Sequence, residues 1–323
     1  MVFDSIPALQ ILFEIVFPIV LLALLIITII TCIPNRRKNL SFMTYDEFLK
    51  EWLLDHGQQH RMEEVLQDMK KNPVGGFYQP ITYKGGKLFA KWGFTPNKVS
   101  FINLILTLLA FYLTIMAGEG HNLDIYTQQP FYGALIFAAG GLLLLSGIID
   151  GIDGSIARLL DKQTKTGAWL DANIDRICDV LMFVCLVPGG YIAISQYNLD
   201  FTWLVWTNIF LIFIYEYMRA KHHEVGLNQS QPFFGERPTR IIILSAQFLT
   251  YGISSFSVMI TYLIDPTSTL WHFSHTGIAI WSMLIYQVIL FIIIGMSTIR
   301  SALWIWKKLK EMDSKNENKK EVK

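Results

Sequence analysis

Cysteine is nearly absent from this chain. Only Cys32, Cys178 and Cys185 occur in 323 residues, all in or at the edge of apolar runs. There is no Cys-x2-Cys pair and no Cys/His cluster, so neither a disulfide framework nor a zinc site is expected. Charge is scarce too. Only 16% of residues are Asp, Glu, Lys or Arg, against about 25% in a soluble domain. Internal repeats and low-complexity blocks are missing. The first apolar run lacks a basic N-region before it and a small-residue cleavage site after it, which favours a retained anchor over a signal peptide. Lys and Arg are absent from three whole segments, 119–130, 195–200 and 265–277.

What is present is apolar. Hydrophobic residues make up 52% of the chain, the composition of an integral membrane protein. A span needs about 20 apolar residues. Seven runs qualify, at roughly 9–33, 98–118, 131–151, 172–194, 201–219, 240–264 and 278–303, so the expected fold is all-α. Orientation follows the basic residues. Arg36, Arg37 and Lys38 follow the first span, which makes that side cytoplasmic and the N-terminus outside. Alternating from there, the three segments without Lys or Arg all face outward.

Four regions follow. Residues 1–38 form a transmembrane anchor. Residues 39–76 form a polar segment in which Thr44, Asp46 and Glu47 mark a helix start. Tyr45, Phe48, Leu49, Trp52 and Leu53, then Met62, Val65, Leu66 and Met69 after Gly57, recur at helical spacing. They describe an amphipathic helical hairpin or broken helix on the cytoplasmic face, packed on the membrane domain or serving a regulatory or lipid contact. Residues 77–310 form the main membrane domain. It opens with a glycine-rich linker, a short helix from Lys84 to Trp92, and Thr95-Pro96 as cap and first residue of the second span. Residues 311–323 form a polar tail, expected to be solvated and partly disordered.

Acidic residues at the mouth of a span are expensive and point to function. Between the third and fourth runs lies DGIDGSIARLLDKQTKTGAWLDANID, residues 150–175. Asp150 and Asp153 are three apart, Asp171 and Asp175 four apart, so each pair shares a helix face. An antiparallel turn between the two helices gathers four carboxylates into one volume. Their mutual repulsion calls for divalent cations, and hard oxygen ligands suit Mg²⁺ or Mn²⁺. Two such ions serve displacement at phosphorus. Gly151, Gly154 and Gly167 let backbone and ligand approach closely, and Arg158 can bind diphosphate oxygens bidentately.

The spacing Asp-x2-Asp-Gly-x2-Ala-Arg-x8-Gly-x3-Asp-x3-Asp resembles the signature of the CDP-alcohol phosphatidyltransferases. Asp150, Asp153, Gly154, Ala157, Arg158, Gly167, Asp171 and Asp175 fill every fixed position. The resemblance implies a six-helix bundle, here with one extra N-terminal transmembrane helix and the cytoplasmic hairpin, in a cell membrane or ER-type membrane. It implies a homodimer and transfer of a phosphatidyl group from a CDP-linked lipid to an acceptor hydroxyl, with release of CMP. Asp150, Asp153, Asp171 and Asp175 match metal ligands for two ions, and Asp175 also matches the general base. Asn97, Gly151, Gly154, Ala157, Arg158 and Gly167 stand where the family binds nucleotide and donor; simple helix capping is the other reading of Asn97.

A second cluster bears on the acceptor. Arg219 and Lys221 close the fifth span; Arg237 and Arg240 open the sixth within Glu-Arg-Pro-x-Arg. Together they form a candidate anion pocket, although positive flanking explains Lys221 equally. The pattern is similar to family members that use inositol phosphate. Phosphatidylglycerophosphate synthesis and aminoalcohol transfer are the rivals within the family, and a non-catalytic metal-binding protein or transporter is the rival outside it. The expected partners are the lipid bilayer, a CDP-lipid donor and a small phosphorylated acceptor, with no nucleic acid.

Overall fold

The computed structural model describes residues 11–37, 39–59, 62–71, 74–122, 131–194, 199–267 and 272–321. Among them lie ten α-helices and one short two-stranded ribbon. Helix α1 (Phe17–Ile30) starts with Pro18 in its first turn, where the missing N–H has no role. It packs through Leu21 on Ile105 and Leu109 and leaves Ile19, Ile26 and Ile27 on its outer face.

Helix α2 (Tyr45–Asp55) is fixed by a capping box. The Thr44 N–H donates to Glu47 Oε2 at 2.7 Å, and the Glu47 N–H donates back to Thr44 Oγ1 at 3.4 Å. The helix ends at Gly57, whose φ of +64° suits glycine. A Cβ there would stand 2.7 Å from Asn228 O, because the turn lies against the segment that carries Asn228 and Ser230. The Ser230 hydroxyl donates to His56 O across that contact. Helix α3 (Met62–Lys71) follows, and Met62, Val65 and Leu66 pack on the apolar face of α2. The amphipathic pattern of the sequence therefore gives a helical hairpin lying on the domain.

His56 makes that docking pH-sensitive. Its Nδ1–H donates to Trp52 O at 2.7 Å, and its ring stacks on Trp52 at 3.9 Å. Burial, aided by nearby Arg158 and Arg219, pulls its pKa down to about 4. The unfolded histidine titrates near ~6.5, so below that pH the unfolded chain binds a proton that the folded hairpin refuses. Stability is complete above pH ~6.5 and is lost as pH falls toward ~4, by roughly 2 kcal/mol at pH 5. Limited proteolysis at residues 56–73 is expected to accelerate between pH 7.5 and 5 in the native chain. It should lose that dependence in His56→Gln.

A π-helical turn (Val74–Tyr78) leads into α4 (Gln79–Lys91). This helix begins five residues before the expected Lys84, because Pro80 is compatible with a first turn and Gly85 and Gly86 pack against Ile152, Ser155 and Leu159. Helices α5 (Pro96–Asn122), α6 (Phe131–Leu159) and α7 (Lys165–Val184) come next. A ribbon pairs Ala193 with Asp200. Helices α8 (Thr202–Glu224), α9 (Arg237–Ile264) and α10 (His272–Glu321) complete the bundle. Its core runs through α5 to α10 and includes Ile136, Leu143, Met182, Leu244 and Phe248. Gln247, Gln287 and Asn208 add a buried amide chain linking α9, α10 and α8, with bonds of 3.0 and 2.9 Å. Trp206, Phe210, Ile292 and Leu303 line the exterior. A large apolar outer surface is what a bilayer requires and water disfavours.

By length and composition, four helical segments among the described residues can cross a membrane: Phe17–Asn35, Pro96–Gly118, Ala134–Leu159 and Trp281–Ser314. The other three expected spans overlap α7, α8 and α9, none of which is among these four, and the expected 172–194 runs past the end of α7 at Val184 into turns and the ribbon. Residues 123–130, 195–198 and 268–271, in the loops expected to face outward, lie outside the described residues. The tail departs from expectation. Instead of dissolving after Lys310, α10 continues to Glu321. Its Lys- and Glu-rich sequence favours helix, and Lys308 pairs with Glu311 one turn on at 3.0 Å.

Candidate active site

The carboxylate cluster grows from the α6–α7 hairpin. α6 carries Asp150 and Asp153 within its last three turns and ends at Leu159. The Lys162 N–H returns to Ala157 O at 2.8 Å, and Asp161 takes a φ of +49° to reverse the chain. Thr164 then caps α7, its Oγ1 accepting from the Gly167 N–H at 3.0 Å. Asp171 and Asp175 follow on successive turns. Carboxylate oxygens of Asp150, Asp171 and Asp175 all lie within 4.8 Å of one another. Asp153 is buried beside them, within hydrogen-bonding reach of Asp171.

Helix α5 orients the first pair. The Ser100 hydroxyl donates to Asp153 Oδ2 at 2.6 Å, and Asn103 Nδ2 donates to Asp150 Oδ1 at 2.9 Å. Ser146 holds the Asn103 amide in turn and meets Thr107 at 2.9 Å. From below, Tyr78 donates to Gly147 O at 3.2 Å. Its phenol is held well above its ordinary pKa by burial and by the charge of Asp150, so it remains a donor. A Cβ at Gly151 would collide with the Tyr78 hydroxyl and stand 2.6 Å from the Thr82 methyl.

Arginines approach from the opposite side. Arg237, in the first turn of α9, donates through Nη1 to both Asp150 and Asp175, and its Nε is 3.4 Å from Asp179. Its buried Nη2 has no hydrogen-bond partner among the described residues. Arg240 is 1% exposed, and its fork is committed to Gly235 O at 2.8 Å, Asp179 at 2.9 Å and Glu216 at 3.1 Å. Arg176 meets the same two acids at 2.9 and 3.2 Å. Arg219, over the Tyr215 ring, pairs with Glu236 at 3.5 Å.

The expected anion pocket is therefore only partly assembled as foreseen. Arg237 meets the aspartates. Arg240 sits one layer behind, as an internal counter-ion. Lys221 stands apart, exposed and paired with Glu224 at 2.8 Å, because it points away from the bundle at the end of α8. Among the expected donor residues, Asn97 is exposed at the start of α5, its Oδ1 3.4 Å from where a Gly167 Cβ would be. Gly154 lies under the Arg158 guanidinium, and Ala157 closes the turn before it.

Ser100, Asn103, Asp179 and Glu216 are not among the residues singled out from the sequence. A signal existed for most. Ser100, Asn103 and Thr107 form a polar stripe along an apolar helix. Asp179 continues the Asp171–Asp175 face by one more turn, and Glu216 is an acid within a span.

The donor set fits a divalent cation. Three hard oxygens converge from two helices. Asp150, Asp153, Asp171, Asp175, Asp179, Glu216 and Glu236 are seven carboxyls set against the four guanidiniums of Arg176, Arg219, Arg237 and Arg240. The excess is negative and in part buried, which calls for cations.

A family model described as CDP-alcohol phosphatidyltransferase matches residues 94–292. An archaetidylinositol phosphate synthase of Pyrococcus horikoshii is 30% identical over 159 residues, 49% of this chain and 71% of that protein. A protein of the same description from Methanothermobacter thermautotrophicus is 26% identical over 205 residues, 64% and 83% of the two chains. Among solved structures, Mycobacterium tuberculosis phosphatidylinositol phosphate synthase with CDP-DAG bound is similar, with a TM-score of 0.47 and 18% identity over 70% of this chain and 94% of that one.

Proposed function

Because this chain belongs to the CDP-alcohol phosphatidyltransferase family, and is thus a membrane enzyme of phosphatidyl transfer in phospholipid synthesis, we propose how its residues divide that reaction. The observation that carries the proposal is the convergence of the motif carboxylates on one point, with Arg237 reaching the same point. Asp150, Asp153, Asp171 and Asp175 hold two divalent ions, Mg²⁺ or Mn²⁺. When bound, the ions neutralise charge on the phosphoryl oxygens. Asn97, Gly154, Ala157 and Gly167 line the nucleotide and Arg158 binds the donor diphosphate, whereas Gly151 gives its space to Tyr78 and Thr82. Asp175 accepts the proton of the acceptor hydroxyl as that oxygen bonds to phosphorus. The bond from phosphorus to the CMP oxygen breaks, and CMP departs with the electron pair.

The acceptor proposed is an inositol phosphate. The relatives described as archaetidylinositol phosphate synthases support it, as does the Glu236-Arg237-Pro238-x-Arg240 start of α9. Arg237, with its unpartnered Nη2, and Arg219 are the phosphate ligands; Arg240 supports Arg237 from behind. The site opens to the cytoplasm, with the N-terminus outside and two copies per assembly.

A panel of inositol 1-phosphate, glycerol 3-phosphate, serine, ethanolamine and choline, scored by CMP release with Mg²⁺, tests the acceptor. Inositol 1-phosphate is expected to give the highest kcat/KM, and preference for an unphosphorylated amino alcohol would overturn the choice. Arg237→Ala should raise the KM for inositol 1-phosphate at least tenfold, since a charged hydrogen bond contributes about 1.5–3 kcal/mol. An unchanged KM removes Arg237 from the acceptor site.

A further inference from the structure

Arg158 is gripped by a part of the chain that lies outside the family match at 94–292. Its Nε donates to Asp55 Oδ2 at 2.8 Å, and its guanidinium carbon stands 5.8 Å from the centre of the Phe48 ring. Phe48 and Asp55 are seven residues apart on α2, so they present one face. The other edge of the same guanidinium turns toward the motif. A Cβ on Gly154 would lie 3.3 Å from Nη1 and 3.7 Å from Nη2. The fork is thus divided, with Nε given to α2 and both terminal nitrogens directed at the glycine beside Asp153.

The platform beneath it is rigid. Phe48, Leu49 and Leu53 are buried with Tyr83 and Leu159. The Tyr83 hydroxyl donates to Met43 O at 2.7 Å just before the helix. The capping box secures one end of α2, and the Gly57–Ser230 contact secures the other. Asp55 itself is 37% exposed, and a pair that open adds little to stability. Its effect is geometric. It selects one orientation of a long side chain that otherwise samples many.

We propose that Asp55 is a positioning residue of the donor site. By holding the Nε edge of Arg158 over Phe48, it leaves Nη1 and Nη2 as a preset fork for the diphosphate of a CDP-linked lipid. This rests on the reading of Arg158 as the diphosphate ligand, and it makes the α2–α3 hairpin part of the catalytic unit.

The test is donor kinetics of the purified full-length chain with CDP-diacylglycerol at saturating acceptor. Asp55→Ala is expected to raise donor KM about tenfold, the scale of a misoriented binding group, with acceptor KM and Tm unchanged. Asp55→Asn keeps the shape and one acceptor oxygen, so it should recover part of the loss and serves if the alanine variant folds poorly. Arg158→Ala should also raise donor KM, and Asp55→Ala/Arg158→Ala should raise it no further. Normal donor KM in Arg158→Ala overturns the diphosphate reading and this inference with it. A raised KM in Arg158→Ala beside a normal one in Asp55→Ala overturns the Asp55 role alone. A lowered KM in Asp55→Ala also overturns it, since Asp55 would then compete with the diphosphate.

Discussion

Asp175→Asn is expected to reduce kcat for CMP release by about 10²–10⁴-fold, the usual contribution of a positioned general base. The substitution is nearly isosteric. Asn keeps an oxygen for the Arg237 contact that Asp175 makes, and Asp179, four residues on, still anchors Arg240 and Arg176. Folding should therefore survive while basicity is lost. The measurement is the single-turnover rate with Mg²⁺ saturating, so that weakened metal affinity is separated from lost proton transfer. Adding excess Mg²⁺ should not restore the rate. Wild-type turnover under those conditions would sink the base assignment, and full recovery with metal would make Asp175 a ligand only.

The largest effect on stability is expected at Arg240. Its guanidinium is buried and committed to two acids and one carbonyl. Arg240→Ala leaves the buried Asp179 and the largely buried Glu216 with one counter-ion fewer. Removing one partner of a buried pair typically costs about 3–5 kcal/mol. Arg176 still pairs with both acids, so the lower end of that range is expected. The readout is Tm and the half-life in detergent. Adding Asp179→Asn to Arg240→Ala should restore part of the loss, because the unpaired charge is removed with its partner. An unchanged Tm in Arg240→Ala would contradict the buried network.

Local relations were legible from the residues alone. The helix start at Thr44 and Glu47, the helix beginning at Pro96, and a reversal somewhere between the two aspartate pairs all depend on neighbours within a few positions. The paired aspartates belong with them, since helical periodicity places residues three or four apart on one face. The start of α4 and the continuation of α10 are not legible locally. At the first, glycines and a proline that suit a linker sit in a helix whose packing against α6 demands small side chains. At the second, a polar run without an apolar face is equally compatible with a solvated tail and with a solvated helix.

By itself the sequence determined a membrane protein, a family of phosphatidyl-transfer enzymes, and four motif aspartates as candidate ligands. It did so because composition dictates the solvent and the motif is contained in one helical hairpin. Only the tertiary structure decided which cation meets those acids, and chose Arg237 over Lys221 and Arg240. It also set Asp55 on Arg158. These pairs are separated by 87, 62 and 103 residues. No periodicity spans such distances; they depend on how α2, α6, α7 and α9 pack, and charged residues near span ends look alike until that packing sorts them.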